Sequence, residues 1–211
     1  MVRMDQAATA LATKGLSTPN DLKQYNTNSR TLSSFFSSFD VSSPAQQAAK
    51  DAVMGWCSDA IEGNPSGLVL YSKGYGVGKT HLARCADSAL MWGGRRGYFF
   101  STPDWLMALR ESYNSNTNES YLFRGWGKGF FILDDFGKEY LKDGTGGWAH
   151  EKFYMLLDKM QGKQLLVTSN LTPTEMAKRL GGAAWSRLGG LCGERFVNMS
   201  SLPDYRLKRI A

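Results

Sequence analysis

The chain has 211 residues, 42% of them hydrophobic, which suits one globular domain with a full core and a short additional arm. No apolar run approaches the ~20 residues of a membrane-spanning helix, and the N-terminal residues are too polar for a secretory signal, so we expect a cytoplasmic protein without a membrane partner. The net charge of +6 indicates a polyanionic partner such as nucleic acid, although solvated lysines explain it about as well. The three cysteines are too widely spaced for a Cys-x-x-Cys metal or redox pair.

The N-terminal part of the chain divides into a polar arm and the start of the domain. Residues 1–31 are mostly polar and predict an arm that links or docks a partner. An apolar cluster at residues 32–39 marks the start of a domain predicted to span residues 32–211. The Ser-Pro pair at Ser43, followed by apolar residues at helical spacing, predicts a helix over residues 43–61.

A glycine-rich loop is the most informative segment of the chain. It joins an apolar strand predicted over residues 67–72 to a helix predicted over residues 79–91. Gly74, Gly76 and Gly78 allow the backbone to curl so that its N–H groups point inward, and the start of the helix adds its positive dipole end. The segment therefore predicts a phosphate-binding loop.

The two residues after the last glycine carry the nucleotide chemistry. Lys79 is placed to reach the β- and γ-phosphates of ATP, and Thr80 supplies a hydroxyl for Mg²⁺. One departure from the phosphate-loop pattern is Lys73, which stands where the first glycine belongs. A glycine-rich surface loop without a ligand is the alternative interpretation. The predicted nucleotide-binding residues are Gly74, Tyr75, Gly76, Val77, Gly78, Lys79, Thr80 and His81.

The rest of the chain alternates apolar runs with helical patterns. Further strands are predicted over residues 97–101, 130–135 and 165–170. Further helices are predicted over residues 103–113 and 150–160, and one begins near Pro173. This alternation predicts an α/β fold with a parallel sheet covered by helices on both faces.

Polar residues end two of these strands. Asp134 and Asp135 close the strand at residues 130–135, where the first carboxylate would hold Mg²⁺ and the second would activate the attacking water. Asn170 closes the next strand and is placed to bind a γ-phosphate or that water. Turn-forming Asp and Asn residues, which often follow strands, are the alternative explanation.

Arg187 follows in a Trp-Ser-Arg-Leu segment and would project from the end of a helix. An arginine in such a place can enter the site of a neighbouring subunit and neutralise charge in the transition state. A surface arginine bonded to a helix C-terminus is the alternative. We predict Asp135, Asn170 and Arg187 as catalytic residues, with Thr80 and Asp134 as the ligands of the metal.

These segments, in this order, resemble the AAA+ ATPases of the DnaC/DnaI helicase-loader and IstB group. The resemblance rests on the phosphate loop followed by His-Leu-Ala, on Ile-Leu-Asp-Asp-Phe-Gly, on Leu-Val-Thr-Ser-Asn-Leu, on Trp-Ser-Arg-Leu and on a closing Asp-Tyr-Arg, and it covers about residues 32–209. It implies an AAA+ P-loop ATPase domain with ATP and Mg²⁺ as cofactors. It further implies that Arg206 lies near the nucleotide and that residues 35–39 contribute to the adenine pocket.

The resemblance also implies partners. A helicase loader binds single-stranded DNA, delivers a replicative helicase and forms a homo-oligomer in which Arg187 acts in trans. Basic residues interleaved with aromatic ones, such as Arg124, Trp126 and Lys128, would suit stacking on bases. The arm in this chain is shorter than the separate helicase-binding domain common among loaders.

Three other functions remain open at this point. An IstB-like ATPase would use the same site to assist transposition on duplex DNA. A P-loop kinase for a small molecule would work as a monomer and consume an acceptor. A nucleotide-gated interaction module would need little hydrolysis and would tolerate replacement of Asp135.

Overall fold

A five-stranded sheet organises residues 29–114, 129–137 and 147–207, the part of the chain that the computed structural model describes. All of its neighbouring strands run parallel, in the order β2-β3-β4-β1-β5. The strands are β1 (Ser66–Tyr71), β2 (Gly97–Ser101), β3 (Phe130–Phe136), β4 (Gln164–Ser169) and β5 (Phe196–Asn198). The predicted α/β class with a parallel sheet is confirmed.

Helices precede or connect these strands and cover both faces of the sheet. They are α1 (Ser29–Phe35), α2 (Pro44–Glu62), α3 (Lys79–Trp92), α4 (Thr102–Asn114), α5 (Trp148–Lys159) and α6 (Pro173–Cys192). One apolar core joins α1, α2 and α3 to the sheet, and a second joins α4, α5 and α6 to the opposite face. None of these helices combines the length and apolar character that a membrane span requires.

The central strands each contain a run of apolar residues because both of their faces are buried. In β1, Leu68 and Leu70 belong to the first core, whereas Val69 between them belongs to the second. The same alternation places Ile132 of β3 in the first core and Leu133 in the second. A strand with two buried faces therefore reads as a continuous apolar run.

Local capping fixes the ends of the helices that flank the site. The Ser43 hydroxyl accepts a hydrogen bond from the Gln46 N–H at the start of α2, and the helix ends at Gly63, whose φ is 85°. At the start of α6, Thr172 and Glu175 form a reciprocal capping box ahead of a proline. Each such N-cap contributes about 1 kcal/mol to the free energy of unfolding, because it satisfies N–H groups at the start of the helix.

The structure also contains features that the sequence did not predict. Strand β5 pairs with β1 through three residues and extends the sheet on its far side. Helix α6 runs through a kink at Gly181, where φ is 74° and ψ is 163°. Helix α1 begins at Ser29, and the proposed arm boundary at residue 31 stays a prediction. The predictions for residues 1–28, Arg124, Trp126, Lys128 and Arg209 fall outside the described residues.

Candidate nucleotide-binding and hydrolysis site

The phosphate loop connects the end of β1 to the first residue of α3, as predicted. Gly76 and Gly78 have φ values of 66° and 97°, in the left-handed region that favours glycine. Gly78 is also the N-cap of α3 and has no side chain to cap the helix. No side chain of the described residues caps the start of α3, and the N–H groups and dipole at the start of a helix attract an anion.

The Lys79 side chain folds back into the loop. It is only 6% exposed, and its Nζ donates to the main-chain oxygen of Gly74 at 3.0 Å. A second, longer contact of 3.5 Å reaches the oxygen of Ser72. The positive charge is thus held within the curve of the loop, where a phosphate group would meet it.

Lys73 occupies the position where the loop pattern expects its first glycine. Its ammonium forms an ion pair with Glu175 at the start of α6, and its main-chain N–H lies 3.4 Å from the Ser200 hydroxyl. The hydrogen bond from Lys73, reinforced by those from Thr172, lowers the pKa of Glu175 to about 2. Lys73 therefore links the loop to α6 through this ion pair.

Thr80 and Asp134 come together as predicted for a metal site. The Thr80 hydroxyl donates to Asp134 Oδ1 at 3.1 Å, which joins the phosphate loop to the end of β3. Asp134 is 4% exposed, and burial raises the pKa of its carboxyl, opposed chiefly by a hydrogen bond from Thr168. Both oxygens are hard donors of the kind that Mg²⁺ binds, usually with only one or two carboxylates from the protein. These residues fit a Mg²⁺ site.

Asp135, beside Asp134, is half-buried and has an unusual backbone. Its φ of 59° makes it the one residue other than glycine with a left-handed backbone among the described residues. Its main-chain N–H donates to the Thr168 hydroxyl at 2.9 Å. The sequence predicted both carboxylates but gave no sign of Thr168, which lies in β4 and contacts the two of them.

Asn170 follows the last residue of β4 and is half-buried. The preceding Ser169 accepts, through its main-chain oxygen, a hydrogen bond of 3.1 Å from the N–H of Ser72 at the end of β1. Since β4 also pairs with β3, the end of β4 lies between the phosphate loop and the two aspartates. Asn170 is therefore at the same edge of the sheet as the phosphate loop and the two aspartates.

The C-terminal segment lies against the phosphate loop. Tyr205 donates its main-chain N–H to the Gly76 oxygen at 3.1 Å. A Cβ atom at Gly76 would lie only 1.7 Å from Asp204 Oδ1, so the carboxylate occupies the space that a side chain would need. The N–H of Arg206 donates to the same carboxylate oxygen at 2.8 Å. Arg206 is thus held next to the loop, and Asp204 was missed because nothing local in the sequence links residue 204 to residue 76.

Aromatic rings cover the other side of the loop. Phe39 packs edge-on against the ring of His81, with 5.9 Å between the centroids, and lies the same distance from Tyr205. A Cβ atom at Gly78 would lie 2.7 Å from the Phe39 ring. Of the segment suggested for the adenine pocket, Phe39 is the residue that these contacts bring to the phosphate loop.

Arg187 is not among the side chains gathered around the loop. It lies in α6, five residues before the helix ends, and its Nε donates to Asp158 Oδ1 at 3.0 Å. Its guanidinium also donates to the Tyr154 hydroxyl at 2.6 Å and lies 4.1 Å from the centre of that ring. Because its partners are on α5, Arg187 would have to serve the site of another subunit rather than its own.

Solved structures of replication proteins share this fold. A crystal structure of the DnaC helicase loader superposes with a TM-score of 0.64 at 22% identity, covering 81% of this chain and 99% of that one. Domain III of the DnaA replication initiation protein of Thermotoga maritima gives 0.64 at 18% identity, covering 81% and 69%. A DnaI crystal structure gives 0.62 at 19% identity, covering 83% and 92%. At these identities the likeness shows the fold.

The predicted parallel α/β fold flanked by helices is therefore the fold of these replication proteins. A DnaA structure bound to AMPPCP and single-stranded DNA also superposes, with a TM-score of 0.62 at 18% identity over 81% of this chain and 50% of that one. No protein-family profile and no curated protein sequence matches the chain.

Proposed function

We propose that this protein binds ATP with Mg²⁺ and hydrolyses it. The observation that carries the proposal is the 3.1 Å hydrogen bond between Thr80 and Asp134, which joins the phosphate loop to two adjacent carboxylates. A loop that binds phosphate would need only Lys79 and the glycines. A carboxylate pair at the same sheet edge adds what hydrolysis requires, a metal ligand and a group that activates water.

Each residue of the site has a separate role in the proposed reaction. Lys79 and the N–H groups of the loop hold the β- and γ-phosphates. Thr80 and Asp134 hold Mg²⁺, which when bound offsets negative charge on the phosphate oxygens. Asp135 orients the attacking water and accepts its proton, while Asn170 donates a hydrogen bond to the γ-phosphate or the water.

We further infer that the active form is a homo-oligomer in which Arg187 completes the site of a neighbour. Its guanidinium is about a third exposed and is held by Asp158 and Tyr154, so the helix face already presents it in a fixed orientation. A planar guanidinium in such a position suits the charge that develops on the transferred phosphoryl group. Arg206, placed by the contact between Tyr205 and Gly76, contributes to the same nucleotide from within the subunit.

The biological role that we propose is helicase loading in DNA replication, in the cytoplasm. The fold shared with the DnaC and DnaI structures supports it, as does the likeness to DnaA, one structure of which holds single-stranded DNA. The positive net charge agrees with a DNA partner. The expected partners are single-stranded DNA and a replicative helicase.

A mixing experiment tests the shared site. Arg187→Ala keeps its own phosphate loop, and Lys79→Ala keeps its own Arg187, so each alone is expected to hydrolyse ATP poorly. Mixed together, they form some interfaces with both groups intact, and turnover recovers. Arg195→Ala, which removes a guanidinium paired with Asp59 of α2, controls for the loss of a positive charge and is expected to keep wild-type turnover. Turnover that stays low in the mixture contradicts the trans arrangement.

The DNA partner is tested by fluorescence anisotropy with a labelled single-stranded oligonucleotide and with a duplex of the same length. We expect ATP-dependent binding to the single strand, and faster loading of a replicative helicase from the same genome when the protein is present. Preferential assembly on duplex DNA would instead favour the IstB-like role in transposition. Turnover that is independent of protein concentration and requires an acceptor would favour a kinase.

A further inference from the structure

A β-bulge separates the two aspartates from the regular ladder of the sheet. Leu133 pairs with Val167 and Phe136 pairs with Ser169, so two residues of β3 face the single residue Thr168 of β4. Such a bulge inserts one residue and redirects the side chains around it. In this protein it falls at the two carboxylates that the hydrolysis site uses.

The alternation of side chains along β3 shows what the bulge changes. Leu133 and Phe136 both belong to the second core, although residues three apart in a regular strand lie on opposite faces. Asp134 and Asp135 together therefore take the place that a single residue would occupy in a regular strand. Without the bulge, Asp135 would share the face of Leu133, in the apolar core that contains Phe153.

The Thr168 hydroxyl is the side-chain group that spans this bulge. It is fully buried, donates its hydrogen to Asp134 Oδ1 and accepts the N–H of Asp135 at 2.9 Å. An aspartate in the left-handed region is strained, because the side chain crowds the following carbonyl. The buried hydrogen bond from its N–H to Thr168 offsets that strain.

We propose that Thr168 is a positioning residue for ATP hydrolysis, holding the backbone of Asp135 and the carboxylate of Asp134 in their working arrangement through one hydroxyl. This inference rests on the proposed hydrolysis. A shift of the Thr168 hydroxyl would therefore disturb the two aspartates together.

Three substitutions separate the hydroxyl from the rest of the side chain. Thr168→Val keeps the shape and removes the hydroxyl. Thr168→Ala and Thr168→Ser both remove the methyl group, and of these two only the alanine also removes the hydroxyl. The serine and alanine variants form a matched pair even if the valine variant fails to fold.

We expect the valine and alanine variants to lower kcat by about 10²-fold, the effect of displacing a catalytic group by about an ångström. Affinity for a fluorescent ATP analogue stays within about threefold of wild type, because the contacts of the phosphate loop are intact. Thr168→Ser restores kcat to within about threefold. Ser112→Ala, which removes a buried hydroxyl bonded within α4, controls for the loss of stability alone.

Two results overturn the inference and are distinguishable. If wild type hydrolyses ATP and the valine and alanine variants match it in kcat, Thr168 does not position the aspartates, and the proposed hydrolysis stands. If wild type shows no turnover above the level of Lys79→Ala, the proposed function fails and the role of Thr168 fails with it.

Discussion

Replacing Gly76 by alanine tests whether the C-terminal segment is seated on the phosphate loop. A Cβ atom there would lie 1.7 Å from Asp204 Oδ1, and the backbone φ of 66° is unfavourable for alanine. The backbone contributes about 1–2 kcal/mol of destabilisation. The carboxylate would rotate away and lose its hydrogen bond from the Arg206 N–H, which at a half-buried position adds about 1 kcal/mol.

The two contributions can be separated by a double-mutant cycle. In an Asp204→Ala background the carboxylate is already gone, so Gly76→Ala costs only the backbone contribution of about 1–2 kcal/mol. The expected coupling between the two substitutions is therefore about 1 kcal/mol, within the range for residues in contact. Urea unfolding of the four proteins measures it, with the slope of each transition compared to check that the denatured state is unchanged.

Equal costs of Gly76→Ala in both backgrounds would refute the reasoning, because Asp204 would then not occupy the space beside the loop. The strain at Gly76 alone would explain such a result. The same variants would report the effect on nucleotide binding, since Asp204 places a negative charge beside the predicted phosphate loop. Because the Tyr205 N–H still ties the segment that carries Arg206 to Gly76, Asp204→Ala is expected to bind ATP more tightly at low salt, with a smaller gain at high salt.

Two further predictions concern titratable groups. Burial, opposed by Arg84, raises the pKa of Asp87 to about 6, above its unfolded value of ~3.9, so stability falls as the pH rises through this range. Asp87→Asn should therefore raise the free energy of unfolding at pH 8 by at most about 3 kcal/mol and leave it nearly unchanged near pH 3; a less stable variant at pH 8 would contradict this. Lys73 holds the pKa of Glu175 at about 2, below its unfolded value, so this contribution is present above about pH 4.5 and is lost as the pH falls toward 2. The Lys73→Gly variant should therefore lose less stability than wild type as the pH falls from 4.5 to 2. Identical acid unfolding curves for the variant and wild type would show that the ion pair contributes nothing to stability.

Most of the residues predicted for the site meet at one edge of the sheet, and their sequence signals are local. Three alternating glycines before Lys79 predict a phosphate loop, and two carboxylates after an apolar run predict the end of a buried strand. The strand and helix bounds lie within two residues of the predictions, for example 150–160 against Trp148–Lys159. Local propensity and periodicity were sufficient for these elements.

The features that sequence reasoning missed depend on pairing between distant segments. Strand β5 has only three residues, with no alternation to mark it, and exists because β1 offers a free edge. The left-handed backbone of Asp135 arises at the bulge in the pairing of β3 with β4, opposite Thr168. The contact between Asp204 and Gly76 arises from the path of the C-terminal segment. No single segment of sequence contains either contact.

The role of Asp135 is the most direct test of the account. We would measure phosphate release and the affinity for a fluorescent ATP analogue in wild type, Lys79→Ala and Asp135→Asn, with the exposed Asp51→Asn as the control for a lost surface carboxylate. We expect Asp135→Asn to bind ATP as wild type does and to lose at least about 10²-fold in turnover, whereas Lys79→Ala loses binding. Asp135→Asn that hydrolyses ATP at the wild-type rate would contradict it and would favour a nucleotide-gated module without a catalytic carboxylate at this position.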